Sequence, residues 1–490
     1  MPHVITQPCC GDAACVYACP VNCIHPTPDE PDFGQTEMLY IDPAACVDCG
    51  ACVSACPVGA IAPDHRIPEN QRRFTEVNAA HFGRTAAAPE PTGPRFPVDP
   101  RWRLPLAPVA KPRPLTGVPA PLNIAIVGSG PAAMYAADEL LKHRQVRVTM
   151  FERLSEPFGL ARFGVAPDHP ATRSVVQLFN TIANDQKLTI LLNTDIGTDR
   201  TLDELRAEYH AVLWAGGAPT DRPLNIPGIE LPGVQSATAV VGWYNGHPDF
   251  TAAAPELKTE RAVVIGNGNV ALDLARILTA NSDRLADTDI DMNALAALRN
   301  SSIREIVVAA RRGPEHAAFT LPELIGLIDG PAQVWVDPAD LAGAPVTTKT
   351  ALLREIAAGP KPDDPHLRLA FGLTPTRILG TQRVTGVRFE RTGAGAGECI
   401  DVDAGAVFTA IGYRGRPIPG LPFDAARGTV AHVAGRVTVD QQPIRGLYVT
   451  GWIKRGPTGF IGTNKTDSAE TVRAVLADAE AGLLRPRIWG

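Results

Sequence analysis

Residues 123–140, NIAIVGSGPAAMYAADEL, constrain this chain more than any other stretch. The apolar run 124–127 reads as a buried parallel strand, and Gly128, Gly130 and Ala133 then give G-x-G-x-x-A at the entry to a helix. Such a turn suits a pyrophosphate. Gly128 permits the tight bend, Gly130 lets the backbone come close, Ala133 keeps helix against strand, and the helix N-terminus offers free N–H groups. The next apolar run, 146–151, ends at Glu152, spaced to accept from ribose hydroxyls. An α/β dinucleotide-binding fold is expected from residue 122 onward, because strand, glycines, helix and acid occur together.

Residues 261–278, RAVVIGNGNVALDLARIL, repeat the theme with Gly266, Gly268 and Ala271. Here the following strand, 303–310, ends not in an acid but in Arg311 and Arg312, a pair suited to a 2′-phosphate. NADP is expected over NAD. The separation from Gly268 exceeds the usual spacing of about 20 residues, since an acidic helical insertion, 282–298, intervenes. Between the two turns, residues 157–170 (PFGLARFGVAPDHP) read as too rich in Gly and Pro for a helix. Their Asp168 and His169 read locally as turn residues satisfying backbone groups. Buried strands are expected at 211–218 and 406–414. In 447–464 a strand runs into glycines before a final amphipathic helix, 466–480.

Nine of the ten cysteines lie within the first 56 residues. Residues 1–10 lack the basic and apolar regions of a secretory signal, so a reducing cytoplasm is expected, where clustered cysteines point to metal rather than disulfides. Cys46, Cys49, Cys52 and Cys56-Pro57 carry the C-x2-C-x2-C-x3-C-P spacing of bacterial iron–sulfur ferredoxins. The first run, Cys9, Asp12, Cys15 and Cys19-Pro20, repeats it with Asp12 in place of the second cysteine. Exchanging the fourth ligand between the runs gives one cluster on Cys19, Cys46, Cys49 and Cys52. The other falls to Cys9, Cys15 and Cys56, with Asp12 or nothing at the fourth corner. A carboxylate matches a sulfide-bound iron poorly, which favours a [4Fe-4S] cluster plus a [3Fe-4S] cluster convertible to [4Fe-4S]. Zinc ribbons use separated C-x2-C pairs and do not fit this spacing. Cys10 is a possible substitute ligand, while Cys23 and Cys399 read as buried thiols.

The chain has 490 residues and a net charge of −6, which suggests about three domains and no nucleic-acid partner. No apolar run reaches the roughly 18 residues of a membrane span. Residues 1–64 hold eight acids and no Lys or Arg, a surface built to meet a basic one. Eleven prolines in 89–121 mark a semi-rigid linker. The expected architecture is an α+β ferredoxin module (1–83), a linker (84–121), and an α/β reductase with two dinucleotide-binding domains. The FAD-binding domain is split into 122–218 and 415–490 around an NADP-binding domain at 219–414.

From residue 123 onward, GSGPAA, GVAPDHP, VGWYNGHPDF, GNGNVALDLARIL, RRGP and GWIKRGPTGFIGTNK occur in the order found in adrenodoxin reductase and bacterial ferredoxin–NADP reductases of that type. The front module resembles a seven-iron bacterial ferredoxin, with 67–82 as its helical extension. The whole resembles the bacterial fused ferredoxin/ferredoxin–NADP reductases. That resemblance implies FAD at Ala133, Glu152, Leu160, Ile196, Trp452 and the backbone of Gly459, Phe460 and Ile461. It implies NADPH on Asn267, Gly268, Asn269 and Val270, with Arg311, Arg312 and Glu323 around the adenosine phosphate. It also puts His169, beside Asp168, near the flavin as a tuner of electron transfer. Ala161, Phe163 and the residues after RRGP depart from the family pattern. The activity implied is hydride transfer from NADPH to FAD, then single electrons to the clusters and on to an acceptor such as a cytochrome P450. The alternatives are a flavin subunit of a metabolite dehydrogenase and an iron–sulfur redox sensor.

Overall fold

A computed structural model describes residues 2–83, 114–118, 120–362, 365–393 and 396–484; most of the linker expected at 84–121 lies outside them. The N-terminal module has two short antiparallel strand pairs, His3–Ile5 with Ile61–Pro63 and Ile24–His25 with Tyr40–Ile41. A short helix follows each cysteine loop, Ala14–Ala18 and Ala51–Ala55. The helix Arg73–His81 closes the module. Its buried Asn78 accepts from Ile5 N–H (3.2 Å) and Ile41 N–H (2.9 Å) and donates to Ile5 carbonyl (2.8 Å). One side chain thus ties both strand pairs together, and Phe74 packs beneath it with no exposed surface.

The strand Leu122–Val127 lies inside a seven-stranded sheet, between Ala211–Trp214 and Val146–Phe151 and parallel to both. Covered on both faces, it reads as an apolar run from Ile124 to Val127, all four buried. The far edge of this sheet, Arg436–Val439 and Gln442–Val449, comes from the C-terminal part of the chain. The helix Pro131–Leu141 packs on the terminal helix Thr463–Glu480, where the Ser468 hydroxyl donates to Ala132 carbonyl at 2.8 Å. A second parallel sheet of six strands, between Val234 and Thr409, is centred on Arg261–Ile265 and Glu305–Ala309. A three-stranded antiparallel sheet, Leu373–Gly380, Val384–Arg391 and Cys399–Asp403, is inserted before its strand Ala406–Thr409.

Three expectations are corrected. Residues 157–170 contain a short helix, Leu160–Phe163, and Pro170 opens another, Pro170–Arg173, because proline is tolerated in a first helical turn. The insertion at 282–298 is two helices, Ser282–Leu285 and Met292–Leu298, the second capped by Asp291, whose carboxylate accepts from Asn293 and Ala294 N–H groups. Cys399 is exposed, since it opens an edge strand whose alternate residues face solvent. Among the described residues no helix is long and apolar enough to cross a membrane.

Candidate functional site

At the first turn Gly128 has φ +99°, and a Cβ there would sit 2.8 Å from Ala215 carbonyl, so only glycine lets the two strand ends close up. Gly130 caps the helix Pro131–Leu141 with no side-chain hydrogen bond, and a Cβ on it would meet open space. The first-turn N–H groups are thus free to meet a phosphate, which fits a dinucleotide. Glu152 ends the neighbouring strand, buried. One oxygen accepts from Ser129 N–H (3.0 Å) and Oγ (2.6 Å), the other from Leu154 N–H (2.9 Å), and the second keeps a lone pair for a ribose hydroxyl. Ala133 and Ile196 are buried and Leu160 is exposed. Trp452 donates from its indole to Thr458 carbonyl at 3.2 Å. Gly459, at φ +81°, leads through Phe460 and Ile461 into the terminal helix, and Phe460 N–H donates to Thr463 Oγ1 (2.9 Å).

The second turn is built alike. Gly266 has φ +119°, and a Cβ there would collide with Ala410 carbonyl. Gly268 caps the helix Asn269–Thr279 with open space in front and no side-chain cap. Asn267 accepts from Ala318 N–H at 3.5 Å, and Val270 begins the helix. Asn269 accepts from Thr320 N–H (2.9 Å) and donates to its hydroxyl (3.3 Å), tying the turn to the helix Leu321–Ile328. Arg311 and Arg312 stand exposed just past the strand Glu305–Ala309, open to an anionic ligand.

Glu323 is on that tied helix. Rather than standing free, its carboxylate accepts from Arg276 Nη1 (3.2 Å) in a buried cluster. Arg276 also grips Asp168 with two hydrogen bonds (2.8 and 3.0 Å) and donates to Asp273 (2.7 Å). His169 lies over them, Nδ1 3.9 Å from Asp273 and Nε2 4.0 Å from Glu323. Burial, helped by the Arg276 charge, lowers the His169 pKa to about 4, so the ring is neutral at pH 7. Burial, then the Asp273 charge, raises Glu323 to about 8, so it holds a proton at pH 7. At 3.9 and 4.0 Å the ring nitrogens stand beside these two carboxyl groups without a direct hydrogen bond to either.

In the front module Cys19, Cys46, Cys49 and Cys52 line one cavity. Cys9, Asp12, Cys15 and Cys56 form a second group, close enough for mutual charge effects. Among the described residues, neither group brings three ligand atoms within 4.8 Å of one another. A tetrahedral zinc site needs sulfurs about 3.8 Å apart. The wider spacing, with four cysteines gathered on one cavity, fits cubane corners instead. The Tyr135 hydroxyl of the reductase is buried and has no hydrogen-bond partner among the described residues. It lies on a cavity of about 410 Å³ lined by Asp12 and Cys56.

Cys23 goes beyond the buried thiol expected of it. Its Sγ lies 3.4 Å from Cys19 Sγ and it also bonds Cys46; this hydrogen bonding lowers the Cys19 pKa to about 6 and the Cys46 pKa to about 5. Its position four residues past Cys19, outside the repeat, gave no signal of this. Asp12 is also engaged: one oxygen accepts from Ala14 N–H (3.0 Å) and the other pairs with Lys465 Nζ (3.2 Å).

Lys465 belongs to the terminal helix of the reductase, so the two modules meet at the Asp12 loop. Gly462 N–H donates to Cys10 carbonyl at 2.8 Å, one residue past Gly459–Ile461. Glu37 accepts from Leu321 N–H and from Lys349, both at 2.6 Å. Arg73 pairs with Asp329 (2.9 Å) and Glu355 (3.0 Å). Buried apolar contacts run without a break from Val16 and Phe74 to Tyr135 and Phe179.

Residues 9–60 match a 4Fe-4S dicluster domain, and residues 122–286 match the pyridine nucleotide-disulphide oxidoreductase family. A probable ferredoxin/ferredoxin–NADP reductase of Mycobacterium bovis is 52% identical over 99% of this chain and 85% of its own length. Human mitochondrial NADPH:adrenodoxin oxidoreductase is 41% identical over 74% of this chain and 80% of its own. The structure of Mycobacterium tuberculosis FprA in complex with NADPH superposes with a TM-score of 0.70 at 41% identity, over 76% of this chain and 87% of that one. The chain therefore belongs to the ferredoxin/ferredoxin–NADP reductases, FAD-dependent NADPH oxidoreductases with an iron–sulfur ferredoxin domain fused at the front.

Proposed function

We propose that this reductase passes the electrons of NADPH through its own ferredoxin module to a separate one-electron acceptor protein, such as a cytochrome P450 or another ferredoxin-dependent enzyme. The observation that carries the reading is the Gly462–Cys10 hydrogen bond, which seats the Asp12 loop beside the Gly459–Ile461 segment assigned to the flavin. FAD, when bound, takes a hydride from NADPH and gives up the two electrons singly. The chain's own task is positioning. The turn at Gly128–Gly130, with Ala133 behind it, and Glu152 hold the dinucleotide; Leu160, Ile196 and Trp452 shape its surroundings. Residues Gly266–Val270 hold NADPH, and Arg311 and Arg312 pair its 2′-phosphate. His169, kept neutral, stands beside the buried cluster of Asp168, Asp273 and Arg276 as a polar, uncharged neighbour of the site. Glu323, the adenosine contact implied by the resemblance, is held by Arg276 in that cluster, 4.0 Å from His169.

The cluster on Cys19, Cys46, Cys49 and Cys52 is read as [4Fe-4S]. The one on Cys9, Cys15 and Cys56 is read as [3Fe-4S], because the Asp12 carboxylate is already held by Ala14 and Lys465. Cytoplasmic residence completes the reading. Iron and sulfide analysis with EPR of the protein as isolated, followed by anaerobic NADPH titration, tests it. The expected result is a three-iron signal, then flavin bleaching, then cluster reduction. Two oxidised, diamagnetic cubanes would reject the cluster reading; clusters that stay oxidised under NADPH would leave a redox sensor as the better account.

A further inference from the structure

Glycine inside the eight-residue helix Leu321–Ile328 costs about 1 kcal/mol of helix propensity relative to alanine. Gly326 occupies such a place, and its backbone is not in the positive-φ region that would call for glycine. What lies over it is the ferredoxin module: a Cβ on Gly326 would collide with the side-chain amide of Gln7. The same holds at Gly462, buried at the head of the terminal helix, where a Cβ would collide with the backbone of Gly11 and Asp12. Both glycines thus lie under one edge of the module: at Gly462 the obstacle is backbone, which cannot give way, and at Gly326 it is the end of the Gln7 side chain, which a large residue such as leucine would have to displace. Around them stand the pairs Glu37–Lys349, Arg73–Asp329 and Asp12–Lys465.

The orientation this produces is not symmetric. The group Cys9, Asp12, Cys15 and Cys56 faces the reductase, and Ser174 Oγ donates to Pro57 carbonyl at 3.1 Å beside it. The other group stays open in the docked molecule: Cys49 is exposed, Val47 is 43% exposed and Val53 38%. This end belongs to the stretch 1–64 that has acids and no cation.

We propose that the ferredoxin module works from one docked position, set by the glycine notches Gly326 and Gly462. Its Asp12-bearing end faces the flavin segment, and its Val47–Cys49 end is the docking surface for an external one-electron acceptor with a basic surface. The proposal rests on the electron route proposed above. Each NADPH delivers two electrons and leaves as NADP⁺, one proton is released to solvent, and two acceptor molecules are each reduced by one electron.

The holoprotein treated with a zero-length carbodiimide, followed by peptide mass spectrometry, reads the docked state through the Glu37–Lys349 crosslink. Gly326→Leu is expected to lose that crosslink and to reduce cytochrome c, a basic one-electron protein, at least about tenfold more slowly. NADPH–ferricyanide reduction and the visible spectrum should be retained. Glu37→Lys should behave likewise, and adding Lys349→Glu should restore the crosslink and the rate, which guards against a Gly326 variant that fails to fold. Added cytochrome c should slow hydrogen exchange in residues 44–54. A Gly326→Leu protein that keeps both crosslink and rate, or cytochrome c protection on the reductase instead, overturns the docking proposal. Absence of ferricyanide reduction in the unaltered protein would instead overturn the flavin reading beneath it.

Discussion

Asp12 of the ferredoxin module and Lys465 of the reductase stand 3.2 Å apart, with Asp12 almost wholly buried. The residue that breaks the cysteine repeat therefore also joins the modules, and its charge has a partner that a free ferredoxin would lack. Lys465→Ala leaves a buried carboxylate unpaired, at a cost of about 1–3 kcal/mol. Cytochrome c reduction should fall several-fold, and Asp12→Asn combined with Lys465→Ala should recover part of the loss in a double-mutant cycle. Strictly additive losses would mean that the pair does not act as one.

Cys23 hydrogen-bonds Cys19 and Cys46, two of the four thiols proposed to hold one cluster. Such bonds stabilise the reduced, more negative cluster. Cys23→Ala should lower the potential of that cluster by roughly 40 mV, the one-electron equivalent of about 1 kcal/mol, with the other cluster unmoved. EPR-monitored redox titration measures both.

The first dinucleotide turn was legible because strand, glycines and acid act locally, and the observed strands Leu122–Val127 and Val146–Phe151 follow the apolar runs closely. The cysteine groups were legible because the ligand exchange is written in the spacing. The Arg276 cluster was not: Asp168, Asp273 and Glu323 come from three separate segments brought together only by folding around one guanidinium. Gly326 was equally silent, since a mid-helix glycine explains itself only by what approaches it. The helices in 157–170 were missed because glycine and proline content was weighed without position.

Arg311 and Arg312 are exposed and aligned past the second nucleotide sheet. Replacing both with Ala should raise the KM for NADPH by about 10–100-fold while that for NADH changes little, as loss of charge-assisted phosphate bonds requires. Steady-state kinetics with the two nucleotides checks this.

Glu323 binds its proton more tightly folded than unfolded, with a folded pKa of about 8. Between its ordinary value and 8 the folded state holds the extra proton, so stability is lost as pH rises through that window. His169 acts in the other direction, with a folded pKa of about 4. Its contribution is lost as pH falls from the ordinary histidine value toward 4. Glu323→Gln should therefore gain Tm over the unaltered protein between pH 5 and 8, the gap widening toward pH 8, while the acid-side loss remains. A gap independent of pH would contradict the assignment.

Stopped-flow mixing with NADPH across a range of protein concentrations addresses the electron route itself. Flavin bleaching should be followed by iron–sulfur bleaching at a rate that does not change with protein concentration, because donor and acceptor share one chain. A rate that rises in proportion to concentration, or clusters that remain oxidised after the flavin has bleached, would contradict it.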